Sequence, residues 1–247
     1  MTVLFDATTG RLRLDQASVA ALLTWVGGGS PDEEAMRGLA DAGVIDGGTP
    51  HPVLLPVLDA MTEPLCRLRL DRDGDPFAAG WATVGAAAVL LPVPDDLREL
   101  VGLPPSFVPA ALARVIGLGP RRRHDGAPWQ VSTQALEGLL TPAPDDAERE
   151  RAVAAVEPAS VEAAGDHAAV AVEALTAGRC RRWTAIAEWG GAQDGSRRLD
   201  LLDASPVGIW LLEPTGDLVL VWPTTPTAVW RSLTRLLPDD HEVASAG

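Results

Sequence analysis

Asp71, Asp73 and Asp75 stand at every second position, the opening spacing of a calcium-binding loop. That loop needs a glycine next and a glutamate at its twelfth position. Here those places hold Pro76 and Ala82, so the triplet reads as a solvated hairpin loop. The histidines, His51, His124, His167 and His241, are scattered. None has a second ligand at helical or hairpin spacing, so neither a zinc site nor a histidine base is indicated. Cys66 and Cys180 lie beside apolar runs and read as buried free thiols. Arg179, Arg181 and Arg182 give Cys180 the basic neighbours that a reactive thiol would need. Gly27-Gly28-Gly29 follows a helical pattern rather than a strand, and the chain has no lysine, so a phosphate loop fails. No G-x-S-x-G elbow occurs; Ser106 and Ser205 read as cap and turn residues. Arg121-Arg122-Arg123-His124 is the one basic cluster, either an exposed loop or a contact for an acidic partner. Asp41 to Ile45, after a helix, would suit a winged-helix module, but the acidity around it argues against DNA. Catalytic, metal and cofactor sites are therefore not expected.

Composition narrows the class. The chain has 247 residues, long enough for one large core or two small ones. Tyrosine, lysine and asparagine are absent, as in proteins from GC-rich genomes, and all 20 basic residues are arginine. The net charge of −14 opposes binding to phosphate backbones and favours basic or neutral partners. The N-terminus lacks the pattern of a signal peptide. The uncharged run Phe77 to Pro94 contains Pro92 and Pro94 and reads as two packed strands rather than a membrane span. A cytoplasmic protein is expected, with no nucleic-acid or membrane partner.

The elements that would position these residues follow from periodicity. Leu12 and Leu14 alternate with Arg11 and Arg13 as a strand, and Asp15 caps a helix bearing Val19, Leu22, Leu23 and Val26. Ser30-Pro31 starts a second helix ending at Gly43. Val44 to Gly48 reads as a short strand or turn, and Pro52 to Met61 as a short helix. Strands are expected from Leu65 to Leu70, Phe77 to Val84 and Ala87 to Val93. A short helix should start at Pro94-Asp95-Asp96 and run through Leu97, Leu100 and Val101. Phe107 to Ile116 reads as a helix, Trp129 to Ser132 as a strand, and Thr133 to Leu140 as a helix broken at 141–144. Asp145 to Val156 and Val161 to Ala177 read as a helical hairpin. Trp183 to Trp189, Leu199 to Leu202, Val207 to Leu212 and Leu218 to Trp222 are strands, with a loop at 190–196. Thr225-Pro226 then starts an amphipathic helix through Val229, Leu233 and Leu236, before a frayed tail. Two similar units emerge, residues 65–101 and 183–237, each a strand meander followed by a helix. Turns rather than helices join the strands, so the sheet should be antiparallel. The fold class is α+β: a central antiparallel sheet from two pseudo-symmetric meanders, with flanking helices and a helical hairpin, in a single domain spanning residues 1–247.

The order of these elements resembles the EspG proteins, cytosolic specificity chaperones of the ESX (type VII) secretion systems of actinobacteria. The segments that carry the resemblance are the helix from Asp15 to Val26, "LADAGVID", "HPVLLPVLDAMTEPLCRLRL", the "RRW" strand, and "LDLLDASPVGIWLLEPTGDLVLVWPTTPTAVWRSLTRLLP". The resemblance implies an α+β fold with quasi-two-fold symmetry and a C-terminal helical bundle. It also implies a non-enzymatic role: binding a helical PE/PPE-like substrate, covering its apolar tip and keeping it soluble for export. By position, the loop with Asp71, Arg72, Asp73 and Asp75 and the helix with Val170, Glu173 and Ala174 would contact that partner.

Two rivals stand beside it. A ligand-sensing or regulatory domain would need a pocket lined by Trp189, Trp210 and Trp222. An enzyme whose site these motifs miss could use Asp200 and Asp203, although turn aspartates explain them more simply. Trp183, Trp189, Trp210, Trp222 and Trp230 make the last third rich in aromatic surface. Its alternation implies that most of these rings fill the core. The oligomeric state is not legible.

Overall fold

A computed structural model describes residues 2–141, 146–190, 195–239 and 242, without the side chains of 146, 148 and 149. Residues 142–144 of the break expected at 141–144, most of the loop at 190–196, and the tail with His241 lie outside the described residues.

Strands β1 (Val3–Asp6) and β2 (Arg11–Leu14) form a hairpin. Leu12 and Leu14 are buried while Arg11 and Arg13 face solvent, the period of two that a half-buried strand imposes. Asp15 turns strand into helix α1 (Gln16–Val26): its Oδ1 accepts the Ser18 N–H at 2.9 Å. Helix α2 (Glu33–Asp41) is capped by Asp32, which accepts the Ala35 N–H at 2.9 Å, and not by Ser30. A carboxylate is the stronger acceptor there, and Glu33 and Glu34 add favourable charge at the positive helix end. The small hairpin β3 (Ile45–Asp46) and β4 (Thr49–Pro50) leads to α3 (Leu55–Thr62).

The first meander is β5 (Cys66–Arg72), β6 (Asp75–Ala82), β7 (Ala87–Pro92) and β8 (Arg98–Leu103). β8 corrects the helix expected through Val101. Asp95 and Asp96 take left-handed φ values of 66° and 56° and turn the chain back instead of capping a helix. The strand that follows then pairs on both sides, with β7 and with β2, and two ladders outweigh a weak helical preference. The helix that closes this half is α4 (Val108–Ile116), ended by Gly117 at φ 68°.

After a connector come β9 (Trp129–Ser132) and α5 (Thr133–Leu140), where Ser132 Oγ caps by accepting the Ala135 N–H at 3.1 Å. Helices α6 (Asp146–Ala154), α7 (Pro158–Ala164) and α8 (Asp166–Thr176) follow. The single helix expected from Val161 to Ala177 is divided at Gly165, whose φ of 87° no helix accommodates. The second meander is β10 (Arg181–Trp189), β11 (Gly195–Ala204), β12 (Gly208–Thr215) and β13 (Leu218–Pro223), closed by α9 (Pro226–Thr234). Thr225 Oγ1 caps α9 by accepting the Ala228 N–H at 3.2 Å.

The fold is α+β, and its main sheet is antiparallel and eleven-stranded, ordered β1-β2-β8-β7-β6-β5-β10-β11-β12-β13-β9. The centre is the antiparallel pair β5–β10, from Cys66 opposite Trp189 to Arg72 opposite Trp183. Outward from that pair each side runs through its own meander. Each meander's last strand then takes a strand from earlier in its half, β2 beside β8 and β9 beside β13.

Side-chain alternation sorts the core onto two faces. On one face Leu68, Leu70, Val89, Trp183, Trp189, Leu201 and Ile209 pack under α4 and α9. On the other, Leu12, Leu14, Ala88 and Leu100 pack with α1, α2 and α3. On that same face Leu202, Trp210, Leu212, Val219 and Val221 pack with α5 to α8. Trp183, Trp189 and Trp210 are buried, whereas Trp222 and Trp230 are exposed at 38% and 40%.

Candidate functional site

The β5–β6 hairpin turns at Asp73-Gly74, with φ values of 54° and 92°. Two consecutive left-handed residues make the turn that matches strand twist, and Asp-Gly is its favoured sequence. The Asp73 N–H donates to the Arg182 carbonyl at 2.8 Å, and Asp73 Oδ1 accepts the Arg182 N–H at 2.8 Å. The tip is thus stapled to the first residues of β10. The Arg72 guanidinium lies 4.2 Å from the Phe77 ring centre, and Phe77 meets Trp183 edge-on at 5.2 Å. Asp75, opposite Arg72, is exposed.

Asp71 behaves differently. It keeps the Arg67–Arg69 face of β5, opposite Thr184, where it is buried and paired with Arg69 Nε at 3.0 Å. Of the α8 residues, Glu173 is exposed and bridges Arg179 at 2.8 Å, and Val170 is half-buried. Ala174 is fully buried against the sheet and offers no contact surface. Its place on the helix follows from which face meets Leu202 and Trp210, a tertiary fact. The hairpin and α8 do meet the same short segment: Glu173 holds Arg179, and Asp73 holds Arg182.

Arg182 extends this cluster. Its guanidinium reaches Glu137 of α5 and lies 3.6 Å from Asp200. Asp200 is buried, accepting from Thr184 Oγ1 at 2.6 Å and from Arg198 Nη2 at 2.9 Å. The hydrogen bond to Asp200 holds Arg198 more firmly in its charged form. Arg67, Arg69, Glu188 and Arg198 are exposed on this same face, with Ile186 half-buried among them. The central strands β5 and β10 therefore show solvent a strip of mixed charge. It lies between α3, packed on β6 to β8, and α8, packed on β11. From β6 to β11 is three strand spacings, ~14 Å, comparable to the ~10–12 Å diameter of one helix. Glu137 and Arg198, and the meeting of Arg182 with Asp200, escaped sequence reasoning. The available signal was the charge at alternate positions, Arg67, Arg69 and Glu188.

The two carboxylates weighed for catalysis do not meet. Asp200 and Asp203 point to opposite faces of β11 and each has its own arginine. Arg121 holds Asp203 through Nε to Oδ1 at 2.9 Å and Nη2 to Oδ2 at 3.1 Å. That buried pair splits the expected exposed arginine cluster: Arg121 is internal, and only Arg122 and Arg123 face solvent. Burial pushes the Cys66 thiol up to about 11 and the Cys180 thiol up to about 12, so neither is a nucleophile near neutral pH. Among the described residues no group of three or more histidines, cysteines or carboxylates could hold a metal ion, and no helix is long and apolar enough to cross a membrane. Trp210 and Trp222 lie on opposite faces of the sheet, so Trp189, Trp210 and Trp222 line no common pocket.

No protein-family model matches the sequence, and no curated protein matches it either. Among solved structures the chain is similar to EspG5 of Mycobacterium tuberculosis, described as the type VII secretion system chaperone in complex with the PE25–PPE41 dimer. The TM-score is 0.55 at 14% sequence identity, over 92% of this chain and 97% of that one. At this identity the likeness is one of fold.

Proposed function

We propose that this chain is a non-enzymatic, EspG-type chaperone that binds a helical PE/PPE-like secretion substrate in the cytosol of an actinobacterium. It would keep that substrate soluble for type VII export. The observation that carries this reading is the end-to-end fold likeness to a secretion chaperone, over nearly the whole length of both chains. The surface agrees with it. A groove between two helical groups, about one helix wide, suits a helical client better than a small molecule. Its charged floor would orient the client, and apolar contact along the walls would supply most of the affinity. Arg72, Asp73 and Asp75 on the hairpin at the groove's end and Val170 and Glu173 on α8 are the proposed contacts, with Asp71 on the groove floor and Arg72 on the opposite face of β5. The whole chain acts as one domain of two repeats, joined at β5–β10.

The test is co-expression with the small helical secretion substrates of its own genome, followed by size-exclusion chromatography. A stoichiometric complex is expected. Failure of every such substrate to co-elute would remove the proposal.

A further inference from the structure

The two edges of the main sheet are finished differently. At one, β9 is covered by α7: the Gln130 N–H donates to Ser160 Oγ at 2.9 Å. At the other, β1 is the last strand, and nothing among the described residues pairs with its outer side. An uncovered edge is a template for another strand.

Which backbone groups it offers follows from its register. The Asp15 N–H donates to the Thr2 carbonyl at 3.0 Å, so Thr2–Asp15 is a hydrogen-bonded pair. Hydrogen-bonded and non-hydrogen-bonded pairs alternate along an antiparallel ladder. Leu4 and Arg13 therefore bond to each other, while Val3 and Phe5 aim their N–H and C=O groups outward. Leu4 lies midway between them, and its side chain is 52% exposed. Val3 and Phe5 turn their side chains inward against the α1–α3 core.

We propose that β1 pairs with β1 of a second copy of this chain, antiparallel about a two-fold axis through Leu4. In that register Val3 of each copy faces Phe5 of the other, and about four backbone hydrogen bonds form. Leu4 meets Leu4 in a non-hydrogen-bonded pair, where Cα atoms approach to ~4.5 Å and side chains touch. Asp6 comes opposite the uncharged Thr2. Charge also favours this place. An open groove of about 540 Å³ runs along the edge, and its ionisable residues are Asp6, Arg11, Arg13 and Glu99. Two acids and two arginines cancel, so chains of net charge −14 can approach here without local repulsion. The capped edge at β9 stops growth at two copies. β1 lies five strand spacings from β5, ~24 Å, so the pairing leaves the central groove free. The contact is small against a standard interface of ~1,600 Å² and predicts a weak dimer.

The test is sedimentation equilibrium of the full chain up to millimolar concentration, with Leu4→Lys and Leu4→Cys variants. The mass is expected to rise toward twice the monomer. Leu4→Lys should weaken association at least tenfold without lowering thermal stability. Leu4→Cys should form a disulfide-linked dimer under mild oxidation, because a non-hydrogen-bonded pair meets disulfide geometry. Asp6→Cys should not. A monomer at all concentrations, a dimer indifferent to Leu4→Lys, or equal cross-linking at both cysteines would overturn the proposal.

Discussion

Replacing Asp73 by alanine tests whether the hairpin tip is built onto β10 or merely rests beside it. Two losses combine. The Arg182 N–H loses a carboxylate acceptor at 2.8 Å, a bond to a charged group that contributes ~1.5–3 kcal/mol. The Asp73 side chain keeps 20% of its exposure, which puts the value at the lower end. Alanine must also adopt φ 54°, at ~1 kcal/mol relative to aspartate. The sum is about 2.5 kcal/mol, a fall in Tm of roughly 5–10 °C for a chain of this size. Asp73→Asn retains both an acceptor oxygen and tolerance of the left-handed region, and should cost under ~1 kcal/mol. Urea titration followed by tryptophan fluorescence gives the stabilities. Hydrogen exchange at the Arg182 amide localises the change. Unaltered protection of that amide in Asp73→Ala, or equal damage from alanine and asparagine, would refute the reasoning.

Arg121→Ala strands the buried Asp203 carboxylate and should destabilise by ~3–5 kcal/mol; Arg121→Met with Asp203→Leu should recover most of that in the same urea assay. Gly208→Ala would place a Cβ 2.5 Å from the Trp210 ring, so a loss of at least ~2 kcal/mol and a shifted fluorescence maximum are expected. Above about pH 9 the unfolded thiols ionise, while folded Cys66 and Cys180 stay neutral until about 11 and about 12. Stability is therefore full below pH 9 and falls as pH rises through that window. Urea midpoints at pH 8 and 10 should show the fall, and a Cys66→Ala, Cys180→Ala variant should reduce it. Reversing Arg72 and Glu173 together should cut affinity for the co-eluting client at least tenfold by calorimetry, while loss of the exposed Arg72–Phe77 and Glu173–Arg179 contacts lowers Tm by only a few degrees.

Local signals served the sequence reading well where one residue decides the outcome. Asp15, Ser132 and Thr225 end their strands and cap their helices as short-range hydrogen bonding requires. The alternation of Trp183, Ala185, Ala187 and Trp189 declares one buried strand face. Long-range partners decided the rest. β8 is a strand because β2, far earlier in the chain, adds a second ladder. Arg121 looks solvated in a run of three arginines, and its partner Asp203 is 82 positions away. On α8, Val170 and Ala174 lie on one helical stripe, yet only the sheet beneath settles that Ala174 is wholly covered.

The β5–β10 seam also sets a schedule for the chain's own synthesis. Arg69 opposes Ile186, so one side of the central seam exists 117 residues before the other. At ~5–20 residues per second, β5 waits roughly 6–23 s on the ribosome with its far edge unpaired. An exposed edge held that long invites misassociation with neighbouring nascent chains. Arg67, Arg69 and Arg72 lie along that strand, with Asp71 the one acid among them, and charged side chains on a waiting edge discourage it. Arg67 and Arg69, which line the groove in the finished protein, are thus placed to guard the half-made one.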